Sequence, residues 1–239
     1  MSKGKSLGDI VKEQHGIEVE NPNFDKEAEA RTAKYWKEIK EKKEVEYILP
    51  TAEVIYSYLG MFAPSDFKID DTNREFIKQL CYYFAQDPEF LNYPANNEKD
   101  LNKGLLIIGD CGLGKSYVLN TIYRMFQKIK GYSFGFVSAI TIVEGFNSLG
   151  DEGLIKYKEQ VWCIDDIGTE DVGSHYGKND VLKMLLEVRY NKFVYEDVKT
   201  HGSTNLLPQQ LKDRYGERVY SRIQQMFNII ILEGKDRRK

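Results

Sequence analysis

Cysteine is scarce in this 239-residue chain: Cys81, Cys111 and Cys163 are the three, and no pair has metal-type spacing. That excludes a disulfide framework and a thiolate zinc site, and it fits a reducing cytoplasm. Histidine is equally sparse, and His15, His175 and His201 are scattered, so no catalytic triad or histidine metal cluster is legible. No apolar run approaches membrane-spanning length; blocks such as Leu105 to Ile108 and Ile229 to Leu232 stop far short of it. The first thirty residues are polar, without the apolar core of a signal peptide, so neither export nor a membrane partner is expected. Neither sign of charge dominates. Lysine and arginine number 34 against 37 acidic residues, and the net charge of −3 excludes a uniformly basic nucleic-acid coat while leaving room for a local basic groove. Internal repeats and low-complexity tracts are absent.

What is present is an ordinary globular balance, 41% hydrophobic and 30% charged, in a chain long enough for one α/β domain and a smaller appendage. The division expected is 1–70, a small helical N-terminal region, and 71–239. Within the first part, Asp25 to Glu46 reads as an amphipathic helix with Ala28, Thr32, Tyr35, Trp36 and Ile39 on one face. Thr51 to Phe62 is a second short helix ending before Pro64, and Thr72-Asn-Arg-Glu75 is the pattern of a capping box opening a third. From Gly104 onward apolar strands and helices alternate. Strands are expected at Gly104 to Ile108, Ser133 to Ser138, Val161 to Ile164, Val198 to Ser203 and Asn228 to Leu232. The helices between them run from Lys115 to Lys130, Ile140 to Leu149, Asn179 to Tyr195 and, mostly helical, Pro208 to Met226. Five apolar strands separated by helices imply a doubly wound parallel sheet with helices on both faces.

Gly109-Asp-Cys-Gly-Leu-Gly-Lys-Ser116 matches G-x-x-x-x-G-K-[ST] between a strand and a helix, where a phosphate loop must lie. Glycines let the backbone wrap closely and turn its N–H groups inward at a helix N-terminus, forming an anion nest. The nucleotide-binding candidates are Gly109, Asp110, Cys111, Gly112, Leu113, Gly114, Lys115, Ser116 and Tyr117. Lys115 should reach the β- and γ-phosphates of ATP, and the Ser116 hydroxyl should bind Mg²⁺. Cys111 occupies a position of the loop that tolerates any side chain. A plain glycine-rich turn with an incidental lysine would need the flanking strand and helix to be coincidence.

Val161-Trp-Cys-Ile-Asp-Asp-Ile-Gly168 is an apolar strand ending in two carboxylates. Parallel sheets build their sites at the carboxyl ends of strands, which brings this acid beside the phosphate loop. Asp165 is the candidate Mg²⁺ ligand, directly or through water, and Asp166 the candidate base for the attacking water, with Glu170 as the alternative base. Taken alone, either aspartate could equally be a helix cap or turn residue.

Four motifs in order, Gly109-Asp-Cys-Gly-Leu-Gly-Lys-Ser, Cys163-Ile-Asp-Asp-Ile-Gly-Thr-Glu, Gly202-Ser-Thr-Asn-Leu and Tyr215-Gly-Glu-Arg-Val-Tyr-Ser-Arg222, resemble AAA+ ATPases of the DnaC/IstB kind. These are helicase loaders and transposition helpers, and the resemblance covers about residues 104–238. It implies an AAA+ P-loop ATPase domain without a C-terminal helical lid, since only Glu233 to Lys239 follow the last strand. It further implies that Asn205 is the sensor-1 residue orienting the hydrolytic water. Arg222 would be an arginine finger acting on the ATP of a neighbouring subunit, with Arg218 one turn earlier as an alternative. Arg237 and Arg238 are the tail arginines available for a sensor-2 role. One departure is Asp166, where many AAA+ enzymes carry Glu.

The function so implied is a cytoplasmic, ATP-hydrolysing homo-oligomer, weakly active until assembled or bound to DNA. It would place a hexameric, DnaB-like replicative helicase on single-stranded DNA, with residues 1–70 gripping the helicase. A transposase partner is the near alternative. A P-loop small-molecule kinase or a non-hydrolysing ATP scaffold is the alternative of another class. A GTPase is disfavoured, because Asn191-Lys-Phe-Val194 lacks the aspartate of a guanine reader.

Overall fold

Four consecutive large aliphatic side chains, Leu105 to Ile108, have nowhere to go but the interior, and they form the buried strand β1 (Gly104–Ile108). The structure is a computed structural model that describes residues 30, 33, 34, 49–62, 67–94, 97–129, 132–174 and 178–237. It divides into two compact units, Met1–Asp87 and Pro88–Lys239, so the sequence-based boundary at residue 70 falls inside the first.

In the first unit, α1 (Ala52–Phe62) and α2 (Arg74–Phe84) pack together, burying Val54, Ile55 and Leu59 from one and Ile77, Leu80 and Cys81 from the other. The Asp25–Glu46 helix lies outside the described residues except for Ala30, Ala33 and Lys34, which are helical and exposed. The helix opens one residue later than a capping box at Thr72 requires: its N-cap is Asn73, which makes no side-chain cap hydrogen bond, while the Asp70 carboxylate accepts the Thr72 N–H at 2.9 Å and the Thr72 hydroxyl at 2.7 Å.

The second unit carries the parallel sheet. After β1 come α3 (Lys115–Phe126), β2 (Gly135–Ser138), α4 (Ala139–Leu149), the short α5 (Ile155–Glu159) and β3 (Trp162–Ile167). A two-residue hairpin follows, β4 (Gly173–Ser174) with β5 (Lys178–Asn179), then α6 (Val181–Glu196) and β6 (Thr200–Thr204). The chain closes with α7 (Pro208–Tyr215), α8 (Glu217–Met226) and β7 (Phe227–Ile231). The five long strands are all parallel in the order β2-β3-β6-β1-β7. Leu106, Ile108, Ile164 and Ile167 share one core with α4, α6, α7 and α8. The alternate side chains Leu105, Ile107 and Cys163 are buried on the other side, and α3 packs on β2 and β3. Each of the four β1 side chains contributes about 1.5–3 kcal/mol by leaving water, so the strand is a fixed platform for the loop at its carboxyl end.

Two helices carry side-chain caps. Ser138 caps α4 by accepting the Thr141 N–H at 3.1 Å, and Asp180 caps α6 by accepting the Lys183 N–H at 3.3 Å. The mostly helical run from Pro208 to Met226 is two helices, because Gly216 turns to φ +86° and its N–H closes the first on the Lys212 carbonyl at 2.8 Å.

Candidate functional site

The exit of β1 is fastened on both sides. Gly109 N–H donates to the Thr204 carbonyl at 3.2 Å, and Leu232 N–H donates to the Ile108 carbonyl at 2.7 Å. The loop Gly109–Gly114 then turns with Gly112 at φ +80° and Gly114 at φ +91°, conformations that a side chain would strain. Gly114 leads directly into α3, whose first residue is Lys115. The Lys115 side chain is 4% exposed, and its ammonium donates to the Gly109 carbonyl at 2.6 Å, the Asp110 carbonyl at 2.8 Å and Asn205 Oδ1 at 2.7 Å. Its three N–H donors thus meet three acceptors. Burial holds its pKa below the ordinary value, opposed first by the charge of Asp166 and then by Cys111, Asp165 and Asp110. Asp110 and Cys111 are exposed, Leu113 is buried, and Ser116 and Tyr117 stand half-buried on the first turn of α3.

The two aspartates lie on a bulge. Ile164 pairs with Gly202 and Ile167 with Thr204, so Asp165 and Asp166 together oppose Ser203 alone. An ordinary strand would put Ile164 and Ile167 on opposite faces; the extra residue returns both to one core. Asp166 absorbs the change at φ +56°, a left-handed conformation that strains a non-glycine residue. Ser203 fixes the bulge by accepting the Asp166 N–H at 3.0 Å while its hydroxyl donates to Asp165 Oδ1 at 2.5 Å. Among the described residues Ser203 is the sole hydrogen-bond donor to the buried Asp165 carboxylate, which leaves its second oxygen for a cation or water.

The structure brings Lys115, Asn205, Asp165 and Asp166 together at the carboxyl ends of β1, β3 and β6. Glu170 is otherwise engaged. It is 6% exposed and accepts from Gly168 N–H at 2.7 Å, the Tyr215 hydroxyl at 2.6 Å and Arg214 at 3.0 Å, while Arg214 also donates to Asp180 at 2.7 Å. Burial, with the Glu170 carboxylate adding, pushes the Tyr215 phenol far above its usual range. Three donors already occupy this carboxylate, which ties it to α7 and to the turn after β3. Arg222 lies on α8, away from this cluster in sequence and paired within its own chain: its guanidinium stacks 4.8 Å over the Tyr190 ring and sits 3.5 Å from Glu187.

Sequence reasoning missed the hairpin, the serine that holds the bulge, and the path of the tail. After β7 the residues to Arg237 form no helix, and they return over the phosphate loop. Arg237 N–H donates to the Gly112 carbonyl at 3.0 Å, and a Cβ on Gly112 would come to 1.8 Å from Asp236 Oδ1. Arg238 lies outside the described residues.

A glycine loop between the first strand and helix of a 2-3-6-1-7 parallel sheet, with a carboxylate pair two strands away, gives this unit the architecture of a P-loop fold. Solved structures share this fold. The DnaC helicase loader matches at 20% identity and a TM-score of 0.50 over 75% of this chain and 98% of its own. A candidate primosome component from Streptococcus pyogenes serotype M3 matches at 23% identity and 0.51, over 76% of this chain and 91% of its own. No protein-family model and no curated protein matches the sequence. Among the described residues no helix is long and apolar enough to cross a membrane.

Proposed function

We propose that this chain binds and hydrolyses Mg·ATP and uses the nucleotide to control the loading of a hexameric replicative helicase onto single-stranded DNA. The observation that carries the reading is the buried Lys115 ammonium, shared between the phosphate loop and Asn205 beside the Asp165–Asp166 bulge. With all three donors engaged, Lys115 must give up at least one acceptor to hold a phosphate oxygen. Releasing Asn205 is the least costly exchange, because the two carbonyls belong to the loop that wraps the phosphates. Asn205 is then free to orient water, which links the lysine that senses phosphate to the residue that positions the nucleophile.

Asp165 and the Ser116 hydroxyl would hold Mg²⁺, and the open oxygen of a buried carboxylate fits that role. When bound, the ion neutralises charge on the phosphates. Asp166, turned out of strand alternation by its positive φ, is the candidate base for water. Arg222 is the candidate finger for the nucleotide of a second copy, a contribution of roughly a thousandfold in rate. The helicase reading draws support from the likeness in fold to the DnaC helicase loader, which is matched over nearly its whole length.

The test mixes subunits. Arg222→Ala and Lys115→Ala should each lose assembly-dependent ATPase, and a mixture should recover a measurable fraction, because one copy supplies the finger and the other the phosphate loop. Full activity of Arg222→Ala at low protein concentration would instead indicate a monomeric phosphotransferase. ATP-dependent co-elution with the host's replicative helicase tests the partner, and co-elution with a transposase in its place would overturn it.

A further inference from the structure

Three arginines of the second unit have very different ties. Arg189 is fully buried and donates to four acceptors, and Arg214 makes hydrogen bonds to two carboxylates. Arg222 is as covered as Arg214, with its side chain 18% exposed against 24%, yet no hydrogen bond to its guanidinium exists among the described residues. It has a ring beneath it and a carboxylate at 3.5 Å, beyond the 2.7–2.9 Å usual for charge-assisted bonds. The same Glu187 oxygen lies 3.5 Å from Arg218, so two cations divide one anion. The ring itself is anchored, since the Tyr190 hydroxyl donates to Gln225 at 2.8 Å. Gln225 and Arg222 are neighbours on α8, and Glu187 and Tyr190 are neighbours on α6.

We propose that Glu187 is a positioning residue that holds Arg222 in reserve on its own subunit, with the Tyr190 ring as the resting surface, until the triphosphate bound by a second copy draws it away. This rests on Arg222 being the trans-acting finger. A guanidinium with five donors and no hydrogen bond loses little on leaving, while the multiply charged phosphates offer what Glu187 does not: short bidentate bonds. Glu187 and the neighbouring phosphates therefore compete for one cation. The carboxylate sets the protein concentration at which hydrolysis switches on, without touching nucleotide itself. Arg218, 74% exposed and bound to the same oxygen, weakens the hold on Arg222 and so tunes that threshold.

The experiment measures ATPase rate against protein concentration for Glu187→Gln, which keeps the side-chain shape and removes its charge. At a concentration where the parent is half-stimulated, the rate should rise about threefold to tenfold, the midpoint should move to lower protein concentration, and KM for ATP should stay unchanged. In an Arg222→Ala background the same substitution should do nothing. Tyr190→Phe, which keeps the ring, should leave the midpoint in place. A lower rate in Glu187→Gln, an unchanged midpoint, or an equal change without Arg222 overturns the proposal. If Arg222→Ala alone abolishes stimulation while Glu187→Gln has no effect, the finger stands and only the reserve role fails. If Arg222→Ala has no effect, both fall. A thermal melt matching the parent excludes misfolding as the source of any difference.

Discussion

At the amino ends of the strands the Arg189 guanidinium, fully buried, donates to the Thr200 hydroxyl at 2.9 Å and to the carbonyls of Tyr157, Gln160 and Lys199 at 3.1, 2.6 and 2.6 Å. Asn228 and Asn97 tie the loop before β1 to the start of β7 in the same manner, amide to backbone. At the carboxyl ends the buried Lys115 ammonium also bonds to carbonyls, but its third acceptor is the movable side chain of Asn205, and beside it Asp165 keeps an oxygen without a donor among the described residues. Both ends bury charge, which is costly unless partnered. One end is satisfied permanently by its own backbone. The other is satisfied by partners that an incoming ligand can replace, and it keeps a strained residue, Asp166, in their midst. The difference separates a polar network that holds the fold from one that, under the proposed function, is arranged for binding.

The largest expected effects break the comparison at each end in turn. Lys115→Ala should lower ATP affinity at least about a hundredfold, measured by titration calorimetry, because several charge-assisted bonds to phosphate disappear together. Its melting temperature should shift by only a few degrees. Arg189→Met should do the reverse. Burial already lowers the Arg189 pKa to about 10, so it is charged at neutral pH and fixed by its acceptors. Its loss strands three carbonyls and should cost about 3–5 kcal/mol of folding free energy by urea unfolding, with ATP affinity of the folded fraction unchanged. Were Arg189→Met to bind ATP poorly while staying stable, the two ends would not be separate networks.

A smaller effect sharpens the same division through pH. His201, the second residue of β6, is 4% exposed and accepts the Leu105 N–H on Nδ1 at 3.3 Å. Burial, reinforced by the nearby cations Lys199 and Arg189, pushes its pKa down to about 3. The folded chain therefore keeps His201 neutral while the unfolded chain protonates it below about 6.5. Stability from this group is complete above that value and declines as pH falls toward 3, by about 2 kcal/mol at pH 5. Urea midpoints at pH 7.5 and 5.0 should differ less in His201→Gln than in the parent. Equal differences would mean that His201 is not held neutral.

Much of this architecture is legible in the residues. The five strands follow from short apolar runs, and the motif Gly109–Ser116 falls on the glycine-rich turn between β1 and α3, where a candidate phosphate loop must lie. The features that escape depend on a distant partner. Alternation predicts that Ile164 and Ile167 face opposite ways, and only the two-against-one pairing with Ser203, 37 residues away from Asp166, returns both to one core. Arg189, Arg214 and Arg222 are one residue type on helices, yet they differ in role because Gln160, Glu170 and Glu187 meet them in space. The tail over Gly112 has no local signal beyond an arginine pair.

Ser203 is the residue through which the comparison can be made finest, since it belongs to the sheet ladder and to the site at once. Its oxygen accepts from the Asp166 backbone and donates to Asp165, so it fixes both the bulge and the direction of one carboxylate. Ser203→Ala removes both bonds and leaves the phosphate loop, Lys115 and Asn205 as they are. The expected cost is about 1 kcal/mol in stability and about a tenfold lower hydrolysis rate, with ATP affinity in the absence of Mg²⁺ held within about twofold. A rate loss without an affinity loss places the bulge on the side of metal and water handling. If affinity falls in parallel with rate, the bulge instead supports the phosphate loop through β6, and the carboxyl ends act as one rigid body that cannot exchange partners one at a time.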